Sequence, residues 1–131
     1  SLTGGGTITN GRTGTGAIVA SNQANLRITV GAGATLNVAC ESGTGTYGII
    51  SQLRSTLVLA GTGTFTLTGC TTSIVAAWRG AFHSTNEGTR TVAAAASAQS
   101  DNVGFYVSQN SYALRGTLPT PTNCEAGSVC Q

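Results

Sequence analysis

The chain contains no lysine and no methionine, and its 131 residues include one histidine, one tryptophan and two prolines. Charge is scarce as well. Asp, Glu, Lys and Arg together make up 8%, against roughly 25% in an average soluble domain. No apolar run approaches the ~20 residues of a membrane-spanning helix, so no membrane span is expected. The basic residues Arg12, Arg27, Arg54, Arg79, Arg90 and Arg115 are scattered, and a net charge of +2 supplies no basic stripe for nucleic acid. Nucleic acid is therefore not an expected partner.

Chemistry is equally short of material. Glu41, Glu87, Asp101 and Glu125 are the carboxylates, too dispersed to be read as the facing pair that glycoside cleavage needs. Ser84, His83 and Asp101 supply the residue types of a nucleophile, base and acid, but no G-x-S-x-G elbow accompanies them. His83 is read as an exposed turn residue. Glycine-rich pieces such as Gly4-Gly5-Gly6 match neither a phosphate loop nor a dinucleotide fingerprint. The sequence predicts a protein that is not an enzyme and carries no metal or cofactor.

What is abundant is Gly, 19 residues of it, together with Thr in alternating runs. Gly61-Thr62-Gly63-Thr64-Phe65-Thr66-Leu67-Thr68, Leu26-Arg27-Ile28-Thr29-Val30 and Thr7-Ile8-Thr9 repeat with period two, the pattern of strands with one buried face. Gly, Thr, Ser and Val are weak helix formers, so an all-β fold is predicted. The alanine-rich stretch 92–98 is read as a strand in a tight place, with a short helix as the alternative.

The strands recur. Gly16-Ala17-Ile18-Val19, Tyr47-Gly48-Ile49-Ile50, Ser73-Ile74-Val75 and Val103-Gly104-Phe105-Tyr106 return roughly every 25 to 31 positions. Such a period in short strands with Gly corners predicts a solenoid, since one coil cannot bury its own apolar face. The expectation is a short single-domain parallel β-helix of about four coils over 1–115, with a Pro- and Cys-containing tail over 116–131. The residues expected inside are Ile18, Leu26, Ile28, Val30, Leu36, Val38, Ile49, Leu57, Leu59, Phe65, Leu67, Ile74, Val75, Phe105 and Val107. An antiparallel β-sandwich of pilin type is the alternative.

Cys40, Cys70, Cys124 and Cys130 lack the spacing of a zinc site and point to two disulfides, for which three connectivities exist. If Cys40 and Cys70 occupy equivalent places on adjacent coils, the strand spacing suits a bridge between them. Cys124–Cys130 then closes a small tail loop. Disulfides, the opening Ser and the missing Met fit an extracellular, processed chain.

The Gly corners, Thr-rich outer faces and coil-length repeat resemble right-handed parallel β-helix surface proteins, such as autotransporter-adhesin passengers and phage tail spikes. The resemblance covers roughly Thr7 to Arg115. It implies an extracellular or virion-surface protein with a structural or adhesive role, and it carries over no site residue.

Function is then read from what the solenoid leaves exposed. Open ends present unpaired backbone groups, and a surface with so little charge does little to keep copies apart. The first expectation is a subunit of an extracellular filament or surface assembly whose partners are copies of itself. The N-terminal strand 1–9 and the tail join through Leu2, Ile8, Leu118 and Val129. The second is glycan or host-surface binding through Trp78, Tyr106 and Tyr112, and the third is ice binding by Thr-x-Thr ladders.

Overall fold

The computed structural model describes residues 2–12, 14–41, 46–85, 87–94, 103–107, 110–116, 118 and 123–131; for 2, 93–94, 103–106 and 123 the description is of the backbone alone. Every paired strand in it runs parallel to its neighbour. That rules out the antiparallel sandwich and matches a β-solenoid.

One turn of the solenoid visits three sheets in a fixed order. β2 (Gly6–Asn10) lies in sheet B, β3 (Gly16–Ala20) in sheet C and β4 (Asn25–Thr29) in sheet A. The cycle repeats through β5 (Thr35–Cys40), β6 (Tyr47–Gln52) and β7 (Thr56–Ala60), then β8 (Thr64–Cys70), β9 (Thr72–Ala77) and β10 (Ala81–Ser84). β1 (Leu2–Thr3) precedes them on the edge of sheet A, paired with β4. These make about three regular turns rather than the four expected. β11 (Thr89–Ala94), β12 (Val103–Val107) and β13 (Tyr112–Leu114) add one more strand to each sheet, but residues 95–102 and 108–109 between them lie outside the described residues. Most of the alanine-rich stretch falls there; its first residues belong to β11, a strand as expected.

The core is a set of columns, one side chain per turn. Ile18, Ile49 and Ile74 stack in sheet C. Leu26, Leu57, Phe82 and Ala113 stack in sheet A, and Ile8, Val38, Leu67 and Val92 in sheet B. The residues expected inside are buried, apart from half-buried Leu26 and Phe105, whose side chain lies outside the described residues. Parallel strands pair all their backbone groups with the turns above and below, and each fully buried Leu or Ile adds about 1.5–3 kcal/mol of apolar transfer energy. Val75 is an exception worth naming. It is buried, yet it sits beside Ile74 on one strand, so it faces the outer side of sheet C; its column runs through Ile50 to the exposed Val19.

A second inward column in sheet B ends on charge: Leu36, Phe65, then Arg90. The buried Arg90 donates from Nη1 to the Gly63 carbonyl at 2.9 Å and from Nη2 to the Gly61 carbonyl at 2.6 Å. Its pKa is pushed down by burial, against the pull of Glu87. The guanidinium thus satisfies two corner carbonyls that the chain turns inward. The glycines there are obligatory: Gly61 has φ 94°, and a Cβ on it would meet the Val30 carbonyl oxygen at 2.2 Å.

Both disulfides form, Cys40–Cys70 and Cys124–Cys130. Cys40 and Cys70 lie on adjacent turns with Cα atoms 4.8 Å apart, which is the strand spacing itself. Ala39 pairs with Thr68, so β8 carries one more residue before its cysteine than β5 does. Gly69 absorbs it with φ 78°, in a place where a Cβ would meet the Cys40 carbonyl oxygen at 2.5 Å. This is a one-residue bulge that returns Cys70 to register with Cys40.

The tail does not swing free. β14 (Asn123–Cys124) joins β12, and β15 (Val129–Cys130) joins β13, both parallel. The prolines at 119 and 121 lie outside the described residues; from Asn123 the chain rejoins sheets C and A.

Candidate functional site

The end carrying β1, β2 and β3 is open. Those strands are the outermost of sheets A, B and C, so each has a second backbone edge unpaired within the described chain. Beside β1 and β2 lies a recess of about 240 Å³ lined by Thr3, Gly4, Gly5, Gly6, Thr7, Ile8, Ile28, Thr29 and Leu36. Ile28 and Leu36 are core residues, so the recess reaches the end of the apolar columns. Ile8 is half-buried at its wall. Leu2 pairs through its backbone with Ile28; its side chain lies outside the described residues.

At the opposite end the tail adds a short strand to sheets A and C, while β11 is the outermost described strand of sheet B. Leu118, expected on a joining face, is 1% exposed and belongs to the core. That expectation is corrected, because the segment after Arg115 turns inward: Leu118 N–H donates to the Arg115 carbonyl at 2.9 Å, and Arg115 Nη1 to the Leu118 carbonyl at 2.9 Å. Val129 is 42% exposed on the outermost strand of sheet A. The Cys124–Cys130 bridge holds the two final strands together.

Trp78, Tyr106 and Tyr112 belong to three different elements, the turn after β9, β12 and β13. Tyr112 stands on β13 opposite Ala81 and is partly exposed. Tyr106 pairs through its backbone with Val75 in sheet C, and its side chain is not among those described. Trp78, half exposed, instead meets Asn22, Gln23, Leu53 and Arg54 around a shallow depression of about 300 Å³. These residues occupy the corner between sheets C and A on successive turns. The sequence did hold the signal, because Asn22, Leu53 and Trp78 each follow the recurring strand that contains Ile18, Ile49 and Ile74.

The outer face of sheet B carries hydroxyls in register. Thr35, Thr64 and Thr89 form one column, Thr7, Asn37, Thr66 and Thr91 a second, and Thr9, Ala39 and Thr68 a third. Thr66 Oγ1 donates to Asn37 Oδ1 along the second column. No charged side chain stands in these columns.

Catalytic groupings do not assemble. On β10, Ser84 is buried while the neighbouring His83 is half-buried on the outer side, in a column with Arg27 and Val58; Asp101 lies outside the described residues. Among the described residues there is no cluster of three His, Cys, Asp or Glu side chains suited to a metal ion. Likewise no helix there is long and apolar enough to cross a membrane.

No protein-family model, curated protein or solved structure matches this chain. The likeness to β-helix surface proteins therefore holds at the level of the fold, and nothing in the comparisons places the chain among adhesins or tail spikes.

Proposed function

We propose that this protein is a structural, non-enzymatic subunit of an extracellular filament or surface assembly, in which copies stack end to end. The observation that carries the reading is the recess at the β1–β3 end, where half-buried Ile8 stands at the wall and the core residues Ile28 and Leu36 lie beneath, beside three strand edges unpaired among the described residues. Its partner is a second copy. The far end presents β15, β11 and β14 as the outermost strands of the same sheets A, B and C, so one molecule's edges continue the next molecule's sheets in the same parallel sense. Backbone pairing across the joint is β-augmentation, and apolar burial adds ~25 cal/mol per Å². The two disulfides suit an oxidising compartment. Negative-stain electron microscopy of concentrated protein tests the reading. Unbranched fibres are expected for the native chain and none for Val129→Asp, whose new charge sits on the outermost strand of sheet A. Dispersed particles in both samples would remove the proposal.

A second reading is favoured by one specific observation, the threonine columns of sheet B. Columns repeat at the inter-strand distance of ~4.8 Å, and alternate residues along a strand at ~6.7 Å. They form a regular, uncharged array of hydroxyl and methyl groups suited to ordering water into an ice-like layer. Thermal hysteresis and ice-crystal shaping measure this directly. Activity that disappears in Thr64→Tyr supports it, and freezing indistinguishable from buffer rejects it.

A further inference from the structure

The corner between sheets C and A is built from residues its backbone disfavours. Ala24, Ser55 and Gly80 N–H groups donate back to the carbonyls of Ser21, Gln52 and Ala77, closing three four-residue turns stacked along the solenoid. Both central residues of each turn have positive φ: Asn22 57° and Gln23 64°, Leu53 54° and Arg54 62°, Trp78 48° and Arg79 62°. Such turns call for Asn-Gly, and bulky side chains at positive φ are strained. Asn22 fits. Leu53-Arg54 and Trp78-Arg79 do not, and they add no core either, since Leu53 is 40% and Trp78 50% exposed. Strain of this kind persists where the residues serve something other than folding.

The turns also lie in register. Gln23 N–H donates to the Leu53 carbonyl at 3.0 Å and Arg54 N–H to the Trp78 carbonyl at 3.2 Å. Hence Asn22, Leu53 and Trp78 form one row along the corner, and Gln23, Arg54 and Arg79 the row beside it. One row offers an aromatic platform next to an aliphatic neighbour; the other offers two guanidiniums and an amide. Among the described residues, no acidic side chain lines the depression.

We propose that this corner binds an anionic saccharide. A sugar ring stacks its C–H face on Trp78, while its carboxylate takes the forked donors of Arg54 and Arg79, a geometry guanidinium matches and ammonium does not. Asn22 and Gln23 supply amide donors and acceptors for ring hydroxyls. The repeat of the two rows from turn to turn suits an extended chain lying along the solenoid rather than a single ring. The site is lateral, so it stands independently of end-to-end assembly.

Trp78 is the protein's single tryptophan, so its fluorescence reports on this site alone. Titration with oligogalacturonate, against a neutral cello-oligosaccharide of equal length, is expected to shift the emission with at least tenfold preference for the acidic chain, and the preference should shrink in high salt. Arg54→Gly and Arg79→Gly relieve the turns, so both variants should melt no lower than the native protein while binding falls about tenfold each. Two results would overturn the proposal: no saccharide changes the emission at millimolar concentration, or neutral and acidic chains bind alike. Melting temperatures that drop in both glycine variants would show that the arginines serve the fold, and would equally overturn it. The charge variant Val129→Asp, in which stacking is blocked, should bind as the native chain does; its failure to assemble leaves this reading standing.

Discussion

The two ends of the solenoid are finished in different ways. At the tail end the chain returns after Leu118, lays short strands on sheets C and A, and locks them with Cys124–Cys130. At the other end β2 and β3 are full five-residue strands with nothing beyond them among the described residues, and the apolar columns run out into a recess. A parallel stack has no intrinsic stopping point, because each turn needs the next to satisfy its backbone and cover its core. The tail's two-residue strands blunt the far edges of sheets A and C, whereas β2 and β3 invite continuation; sheet A begins on the two-residue β1, and sheet B ends on the six-residue β11. In the stacking proposed above, the recessed end would receive and the tail end would enter.

The comparison breaks most visibly in the middle, where every residue has neighbours on both sides. Phe65→Ala should cost about 3–5 kcal/mol, because Phe65 is fully buried between Leu36 and Arg90. Ile8→Ala, at the half-buried end of its column, should cost much less in a chemical-denaturation measurement on dilute protein. Equal losses at both positions would mean that the recessed end is already covered.

The disulfides sharpen the same contrast. Cys40 and Cys70 are 30 residues apart in sequence, and Cys124 and Cys130 only 6. On loop entropy, replacing the first pair by Ala costs roughly 3.5 kcal/mol and the second roughly 2. Denaturant midpoints of the two double variants check the order. The first should lower global stability, whereas the second should chiefly loosen the tail, read as faster amide exchange around Val129.

The outer faces should respond least. Thr64→Val keeps the shape of a surface column and should move stability by under about 0.5 kcal/mol, measurable as a nearly unchanged melting temperature. A large loss would show that the hydroxyl ladder carries the sheet.

How far the fold could be read in advance depends on which signals repeat. Ile18, Ile49 and Ile74 recur at coil spacing, and alternation sets their face, so the parallel stack and most of its core were legible. Cys40 and Cys70 were legible for the same reason, although the bulge at Gly69 that aligns them has no signal beyond one glycine. The corner site was half seen. Trp78 stood out as an exposed aromatic, but Leu53 and Arg54 are ordinary residues until the turns stack them against it. Tyr106 and Tyr112 were grouped with Trp78 by residue type alone, which says nothing about which face or turn a side chain occupies. Leu118 was misplaced since the prolines that follow it in sequence, at 119 and 121, suggested an exposed arm, whereas a single apolar residue before them is enough to anchor the chain to the core.

Stacking through the recessed end is tested most directly by sedimentation velocity over a wide concentration range, on the native chain and on Ile8→Asp and Val129→Asp. The native protein should grow in mass with concentration, while each variant, one at either face of the joint, should remain near the 13.0 kDa of a single chain with its melting behaviour preserved for the exposed position 129. A native protein that stays at one chain's mass throughout, or variants that grow as it does, would contradict the account.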